Sequence, residues 1–267
     1  MRYILLIWAI WGFTTNLLYA QSYGITYYNV DKLYDTIPSP FYDDSTYTPK
    51  ARLAWNTERY NRKISNITSV IDSMSMPLVA IYGVENEQVV KDIINSSKND
   101  YTYIHHNSDS YNGLDFALLY FGDIFFPTQT TPWQGAWCIE GELHNEPLTI
   151  IISHGCKSLS VLLNKTSCNP DNKIIILGEL GKLNFNKLNL DDALSRAETA
   201  GRGNRILQNE WEMHDRIITN IHNYSAADVY IQSWMLDCKG RPLPTYKGGK
   251  YIGGYSSWLP IYIYFRK

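Results

Sequence analysis

The sequence predicts an α/β fold built on mixed β-sheets. Three observations support this: strand-like and helix-like apolar periods alternate along most of the chain, several neighbouring strands have no helix between them to make a parallel crossover, and no Gly/Ser-rich or Pro-rich linker is long enough to divide the chain. One domain is the simplest account. The chain has 267 residues, 45% hydrophobic and 19% charged, enough to bury one sizeable core. Aromatic residues reach 14%, including 21 Tyr and 8 Trp, which excludes disordered, collagen-like and coiled-coil chains and a membrane bundle.

Residues 1–20 read as a secretory signal: Arg2 precedes the apolar run Tyr3 to Phe13, Thr14, Thr15 and Asn16 break that run too early for a membrane span, and Ala20 supplies a small residue for cleavage. The remaining domain, residues 21–267, is then expected to be secreted or periplasmic, without a stable membrane anchor. Its net charge becomes −3 instead of −2, because the removed segment holds one Arg and no acid. Such a charge weakly disfavours nucleic acid as a partner. The locally basic segment with Arg196, Arg202 and Arg205 reads as a solvated face. In an oxidising compartment Cys138, Cys156, Cys168 and Cys238 become candidates for disulfides or buried thiols. Four cysteines allow three pairings; Cys156–Cys168 closes the shortest loop. Their spacing lacks the paired C-x-x-C units of a zinc site. Sequons at Asn66, Asn95, Asn164 and Asn223 matter only in a eukaryotic host.

Along the chain, a strand at Ile25 to Asn29 is followed by a turn-rich stretch, Thr36 to Lys50. Apolar Tyr60, Ile64, Ile67, Ile71 and Met74 then recur at helical spacing. A buried strand at Leu78 to Tyr82 and a short helix around Val89 to Ile94 come next. Strands are expected near Tyr101 to His105, Asp115 to Tyr120, Trp137 to Leu143, Leu148 to Ser153, Ile174 to Leu177, Arg216 to Asn220, Val229 to Gln232 and Pro260 to Phe265.

The candidate chemical residues stand at strand ends, where α/β folds present ligand loops. Asn29 ends the first strand, Glu85 follows the second, His154 follows Leu148 to Ser153, and Glu179 follows Ile174 to Gly178. Oxygen donors at the mouths of buried strands suit a hard cation such as Mg²⁺. Singly, a Glu there is more often a solvated cap, an Asn a turn former and a His a hydrogen-bonded structural residue.

Together they resemble the endonuclease/exonuclease/phosphatase superfamily of divalent-metal phosphodiesterases. Tyr27-Tyr28-Asn29-Val30-Asp31-Lys32-Leu33 is similar to that family's Y-N-V-E-N-L-F, and Tyr47-Thr48-Pro49 with Trp55, Arg59-Tyr60 and Lys63-Ile64 to its F-T-P…W…R-Y…K-I. Gly83-Val84-Glu85-Asn86, Gly113-Leu114-Asp115-Phe116-Ala117-Leu118-Leu119-Tyr120 and Trp211 with Asp215-Arg216-Ile217-Ile218 continue the series. Gly253-Gly254-Tyr255-Ser256 with Leu259-Pro260 closes it. The resemblance implies a four-layer α/β sandwich, two packed mixed sheets flanked by helices. It also implies Mg²⁺ or Mn²⁺ held by Asn29 and Glu85, Asp115 beside the ligand, and His154 at the reacting phosphate.

Departures from the family pattern fall on catalytic groups. The family's G-D-F-N reads Gly178-Glu179-Leu180-Gly181, and its S-D-H-L-P reads Ser256-Ser257-Trp258-Leu259-Pro260. Trp258 can neither transfer a proton nor accept a hydrogen bond. A positioned acid or base is worth roughly 10² to 10⁴ in rate. The expectation is a catalytically degenerate family member that binds a small phosphorylated ligand or a protein partner. The alternative is an active phosphoric ester hydrolase with a rebuilt site, in which Glu179 serves as base and His154 or Lys182 stabilises phosphoryl charge.

Overall fold

In a computed structural model, residues 23–108, 110–157, 159–166, 172–180 and 189–266 are described. The expected export signal lies outside them, as do Gly181, Lys182, Ser158 and Cys168. Two six-stranded mixed sheets pack against each other. In the first the order is β13 (Tyr224–Val229), β16 (Ile261–Phe265), β1 (Tyr23–Leu33), β2 (Leu78–Val84), β4 (Asp115–Tyr120), β3 (Thr102–His106). In the second it is β5 (Phe125–Trp133), β6 (Ala136–Leu143), β7 (Glu146–His154), β8 (Lys173–Glu179), β12 (Arg216–Thr219), β9 (Asp191–Asp192). Two ribbons, β10 (Arg205–Leu207) with β11 (Glu210–Glu212) and β14 (Tyr246–Lys247) with β15 (Lys250–Tyr251), lie outside the sheets.

Each sheet contains one parallel pair, β1 with β2 and β7 with β8. A parallel pair needs a crossover, and the helices α1 (Thr57–Met74) and α3 (Leu159–Thr166) supply them. Helix α2 (Glu87–Ser96) packs on α1 and β2, and the short α4 (Ser195–Thr199) leads toward β10. Side chains alternate faces along a strand, which makes the layering legible in β7 and β8. Ile150, Ile152, Ile175 and Leu177 enter the core between the sheets. Ile151, Ile174 and Ile176 face the other way and meet Leu159, Leu162 and Leu163 of α3. Helices, sheet, sheet and helix therefore make a four-layer sandwich, and strands covered on both faces read as unbroken apolar runs.

Helices α1 and α2 start at asparagine caps. Asn56 accepts the Arg59 N–H at 3.0 Å and Asn86 accepts the Val89 N–H at 3.1 Å. On α1 the expected apolar stripe is buried, and Lys63 is buried with it. Its Nζ donates to Thr245 Oγ1 at 2.7 Å and to the Tyr255 carbonyl at 2.5 Å. Burial lowers the Lys63 ammonium to about 8. The side chain of Asn66 donates to the Gly253 and Gly254 carbonyls, so this sequon asparagine is engaged within the fold.

Differences from the sequence reading fall mainly at edges. The expected strand at Val229 to Gln232 is instead Tyr224–Val229, because pairing runs back along β16 from Val229–Ile261 to Tyr224–Phe265. Strand β5 was not anticipated: it is an edge strand rich in exposed Thr, Gln and Pro, without an apolar period. Cys138 and Cys238 are free thiols, so none of the three complete two-disulfide pairings forms. Burial pushes the Cys138 thiol up to about 12. The remaining pairing, Cys156–Cys168, involves a residue outside those described.

Leu177 is fully buried between the sheets. Leu177→Ala is expected to lower the unfolding free energy by about 2–5 kcal/mol in urea titration. Ile37→Ala, at a residue 72% exposed, is expected to change it by less than about 0.5 kcal/mol.

Candidate functional site

The parallel pairs end at one rim, where the sheets meet: Tyr82 of β2 stacks on His154 of β7 with ring centroids 3.8 Å apart. Glycines shape both strand ends. Gly83 and Gly178 have φ of 99° and 107°, and a Cβ would stand 2.3 Å from the Asp31 carbonyl and 2.2 Å from the Ser153 carbonyl respectively. Only glycine permits this, and the turns deliver Glu85 and Glu179 to the rim.

Glu85 is 3% exposed. The Asp35 N–H donates to its Oε2 at 2.5 Å, and Tyr42 Oη donates to its Oε1 at 2.9 Å. Burial pushes the carboxyl up to about 7, although the hydrogen bond from Asp35 works against it. The Tyr42 ring lies against Gly113. Asn29, 4% exposed, accepts the Asp31 N–H on Oδ1 at 3.0 Å. Ser256 donates to the Asn29 carbonyl at 2.7 Å, and Ser257 donates to Asp31 Oδ2 at 2.8 Å. Ser257, where the resembled motif has Asp, is thus tied to the β1 turn.

Across the cleft, Glu179 stands between two imidazoles. His154 Nδ1 lies 3.3 Å from Oε2 without an aligned hydrogen bond, and His214 Nε2 lies 3.5 Å from Oε1. His214, foremost, holds the Glu179 carboxyl below its ordinary value. Burial lowers His154, against the attraction of Glu179. Trp258 is packed on this side of the cleft, its ring 4.9 Å from His214 and under the Arg205 guanidinium at 4.9 Å. Arg205 also pairs with Glu212, and Arg202 with Asp228, so the basic segment is largely neutralised at those two residues.

Behind Glu179 sits Asp215, 1% exposed. Asn204 Nδ2 donates to its Oδ2 at 2.7 Å, while Oδ1 makes no hydrogen bond to a described residue. Burial raises this carboxyl to about 6. Tyr27 Oη is likewise buried without a hydrogen bond, and burial, with Asp215 next, raises its phenol well above the ordinary value. Asp115 is engaged elsewhere: it binds His105 Nε2 at 2.9 Å and the Ser108 N–H at 2.8 Å, fixing the segment before β4.

The structure therefore joins Glu179 to His154, and Ser257 to the Asn29 turn. It adds His214, Asp215, Asn204, Arg205, Tyr27, Tyr42 and Tyr82, to none of which the sequence reading gave a site role. The signal for Asp215 was present in the Trp211…Asp215-Arg216-Ile217-Ile218 block. The oxygens of Asn29 and Glu85 are of the kind Mg²⁺ or Mn²⁺ prefers, yet each already accepts a hydrogen bond from the protein. Among the described residues no group of three or more His, Cys, Asp or Glu is placed to hold a metal ion.

Comparison with known proteins places this geometry. Residues 24–154 match the model of the Endonuclease/Exonuclease/phosphatase family. The match, over just under half of the chain, supports the endonuclease/exonuclease/phosphatase superfamily. No curated protein sequence matches it. Among solved structures, truncated Caenorhabditis elegans TDP2 superposes with a TM-score of 0.60 at 10% identity, over 92% of this chain and 98% of that one. A Bacteroides thetaiotaomicron mannosyl-6-phosphatase gives 0.59 at 12%, over 91% and 98%. Humanized D. rerio TDP2 gives 0.57 at 12%, over 92% and 99%. At such identities the likeness is one of fold.

Asp215 ionises at about 6 when folded and at about 4 in an unfolded chain. Between those values the folded state binds the extra proton, so the contribution of this group to stability falls as pH rises from about 4 to about 6. Asp215→Asn removes that loss. Its urea midpoint, relative to the parent, is expected to rise across this window, and a difference that stays constant with pH would count against the buried-acid assignment.

Proposed function

We propose that this chain is a hydrolytically silent member of its superfamily, which binds a small phosphorylated ligand at the rim without cleaving it. The observation that carries this is Glu85. The carboxylate expected to take a divalent cation has both oxygens accepting protein hydrogen bonds, from Tyr42 Oη and the Asp35 N–H. Trp258 and Ser257 support the same reading. The indole N–H donates but does not titrate and cannot accept a proton, and the Ser257 hydroxyl is engaged with Asp31. His154 and His214 stand at the rim as donors for a phosphate. A solved neighbour that is a mannosyl-6-phosphatase makes a phosphorylated sugar a reasonable probe. Export by residues 1–20 would place this binding outside the cytoplasm.

One observation favours a second reading, a hydrolase with a rebuilt site. Glu179, held ionised between His154 and His214, is a carboxylate placed at the rim where it can accept a proton from an attacking water. In that reading Glu179 is the base and His154 steadies the phosphoryl oxygens, with Mg²⁺ or Mn²⁺ supplying Lewis acidity when bound.

The two separate in one assay. The protein is incubated with Mg²⁺ or Mn²⁺ and an activated phosphodiester, a phosphomonoester or plasmid DNA, beside Glu85→Ala. The silent reading expects no turnover above the Glu85→Ala control, and calorimetric binding of mannose 6-phosphate that His154→Ala weakens. Turnover abolished by Glu85→Ala would overturn it in favour of the hydrolase.

A further inference from the structure

Next to the cleft, the segment 237–251 is basic: Lys239, Arg241, Lys247 and Lys250 stand against the single acid Asp237, in a chain whose net charge is −2. It borders a cavity of about 340 Å³, walled by Ile206, Pro242 and Tyr246 and lined also by Arg241, Lys247 and Ser257. Two of these residues join the cavity to the rim. Ser257 precedes Trp258, whose ring lies 4.9 Å from His214, and Ile206 follows Arg205, whose guanidinium lies 4.9 Å over the same indole.

The fold concentrates positive charge at this point. Strands β14 and β15 are joined by Gly248 and Gly249, both left-handed with φ of 58° and 81°, as a tight two-residue turn requires. The resulting register sets Lys247 directly opposite Lys250, and like charges so placed destabilise a ribbon. Arg52 reaches the same turn, its Nη1 2.9 Å from where a Cβ on Gly249 would stand. Asp237 pairs with both Arg241, at 3.0 Å, and Lys247, at 3.7 Å. One carboxylate thus serves two cations, while Arg52 and Lys250 make no ion pair among the described residues. The frame beneath is fixed: Tyr246 Oη donates to the Leu53 carbonyl at 3.1 Å, the Leu243 N–H donates to the Met235 carbonyl at 2.9 Å, and Pro242 holds its own φ. Cations gathered on such a frame are relieved of mutual repulsion when an anion enters between them.

We infer that this cavity is a subsite for a second phosphoryl group, so that the protein selects small bisphosphorylated ligands over monophosphorylated ones. The inference rests on the rim reading, in which one phosphate meets His154 and His214, and adds Arg241 and Lys247 as partners for the other. Arg presents a planar fork of donors and Lys a point charge, and both are suited to phosphate oxygens. Lys250 and Arg52 reinforce the field from the turn. The cavity is of small-molecule size. Duplex nucleic acid would need a longer basic track, but the next cations, Arg205 and Arg202, are paired with Glu212 and Asp228.

Calorimetric titration of fructose 6-phosphate and of fructose 1,6-bisphosphate tests this, in EDTA to prevent metal-dependent turnover and at about 50 mM salt to limit screening. The bisphosphate is expected to bind at least about fivefold more tightly. Lys247→Gln combined with Lys250→Gln, at two exposed residues, is expected to bring that ratio below about twofold and to leave fructose 6-phosphate binding unchanged. His154→Ala should weaken both ligands. Equal affinity for the two ligands, a preference that the lysine variant retains, or a lysine variant that weakens the monophosphate equally would each overturn the subsite while leaving the rim reading in place. Binding of neither ligand to the folded protein would overturn both.

Discussion

Glu85 carries a carboxyl group into the seam between two sheets, where among the described residues no cationic side chain is paired with it and two protein donors hold its oxygens. Burying a carboxylate without a counter-charge is costly, and the usual outcomes are a raised pKa, an ion pair or a metal. In this chain burial raises Glu85 to about 7. The donors come from the turn-rich segment after β1: Asp35 gives its N–H and Tyr42 its hydroxyl. The same segment is tied to α2, because Asn86, the cap of that helix, donates to Asp35 Oδ2 at 2.9 Å. The group expected to hold a cation thus organises the loop around it.

The loop that closes the cleft is fixed from behind. Lys63 and Asn66 on α1 bind the backbone of residues 253–255 and Thr245, which sets where Ser256, Ser257 and Trp258 fall. With that frame retained, the departures at 257 and 258 leave the architecture in place. Ser257 stabilises the β1 turn, and Trp258 fills space beside His214. Fold and function are separable here, as the superfamily's scaffold does not by itself dictate activity.

Much of this was legible in the sequence, for identifiable reasons. Strands β2, β4 and β8 are buried on both faces, so Leu78 to Tyr82, Asp115 to Tyr120 and Ile174 to Leu177 announce themselves as apolar runs. Asn29, Glu85, His154 and Glu179 were found because they terminate such strands. Strands β5 and β13 were missed or displaced, being edges whose exposed polar residues carry no period. The His214–Glu179 contact could not be read from spacing: it arises because β12 pairs antiparallel with β8, setting Arg216 opposite Gly178. Tyr42 was hidden for a different reason, since it lies in a stretch of turns where periodicity gives no direction.

In the silent reading, competition from hydrogen bonds within the protein weakens cation binding at the Glu85 oxygens. It is tested most directly by calorimetric titration of Mn²⁺ into the protein and into Tyr42→Phe at pH 8, where Glu85 is ionised. Removing the Tyr42 hydroxyl frees Oε1 from a charge-assisted hydrogen bond worth about 1.5–3 kcal/mol. The prediction is weak uptake by the parent and at least about fivefold tighter binding by the variant. Tight binding by the parent, or equal affinity in both, would contradict it.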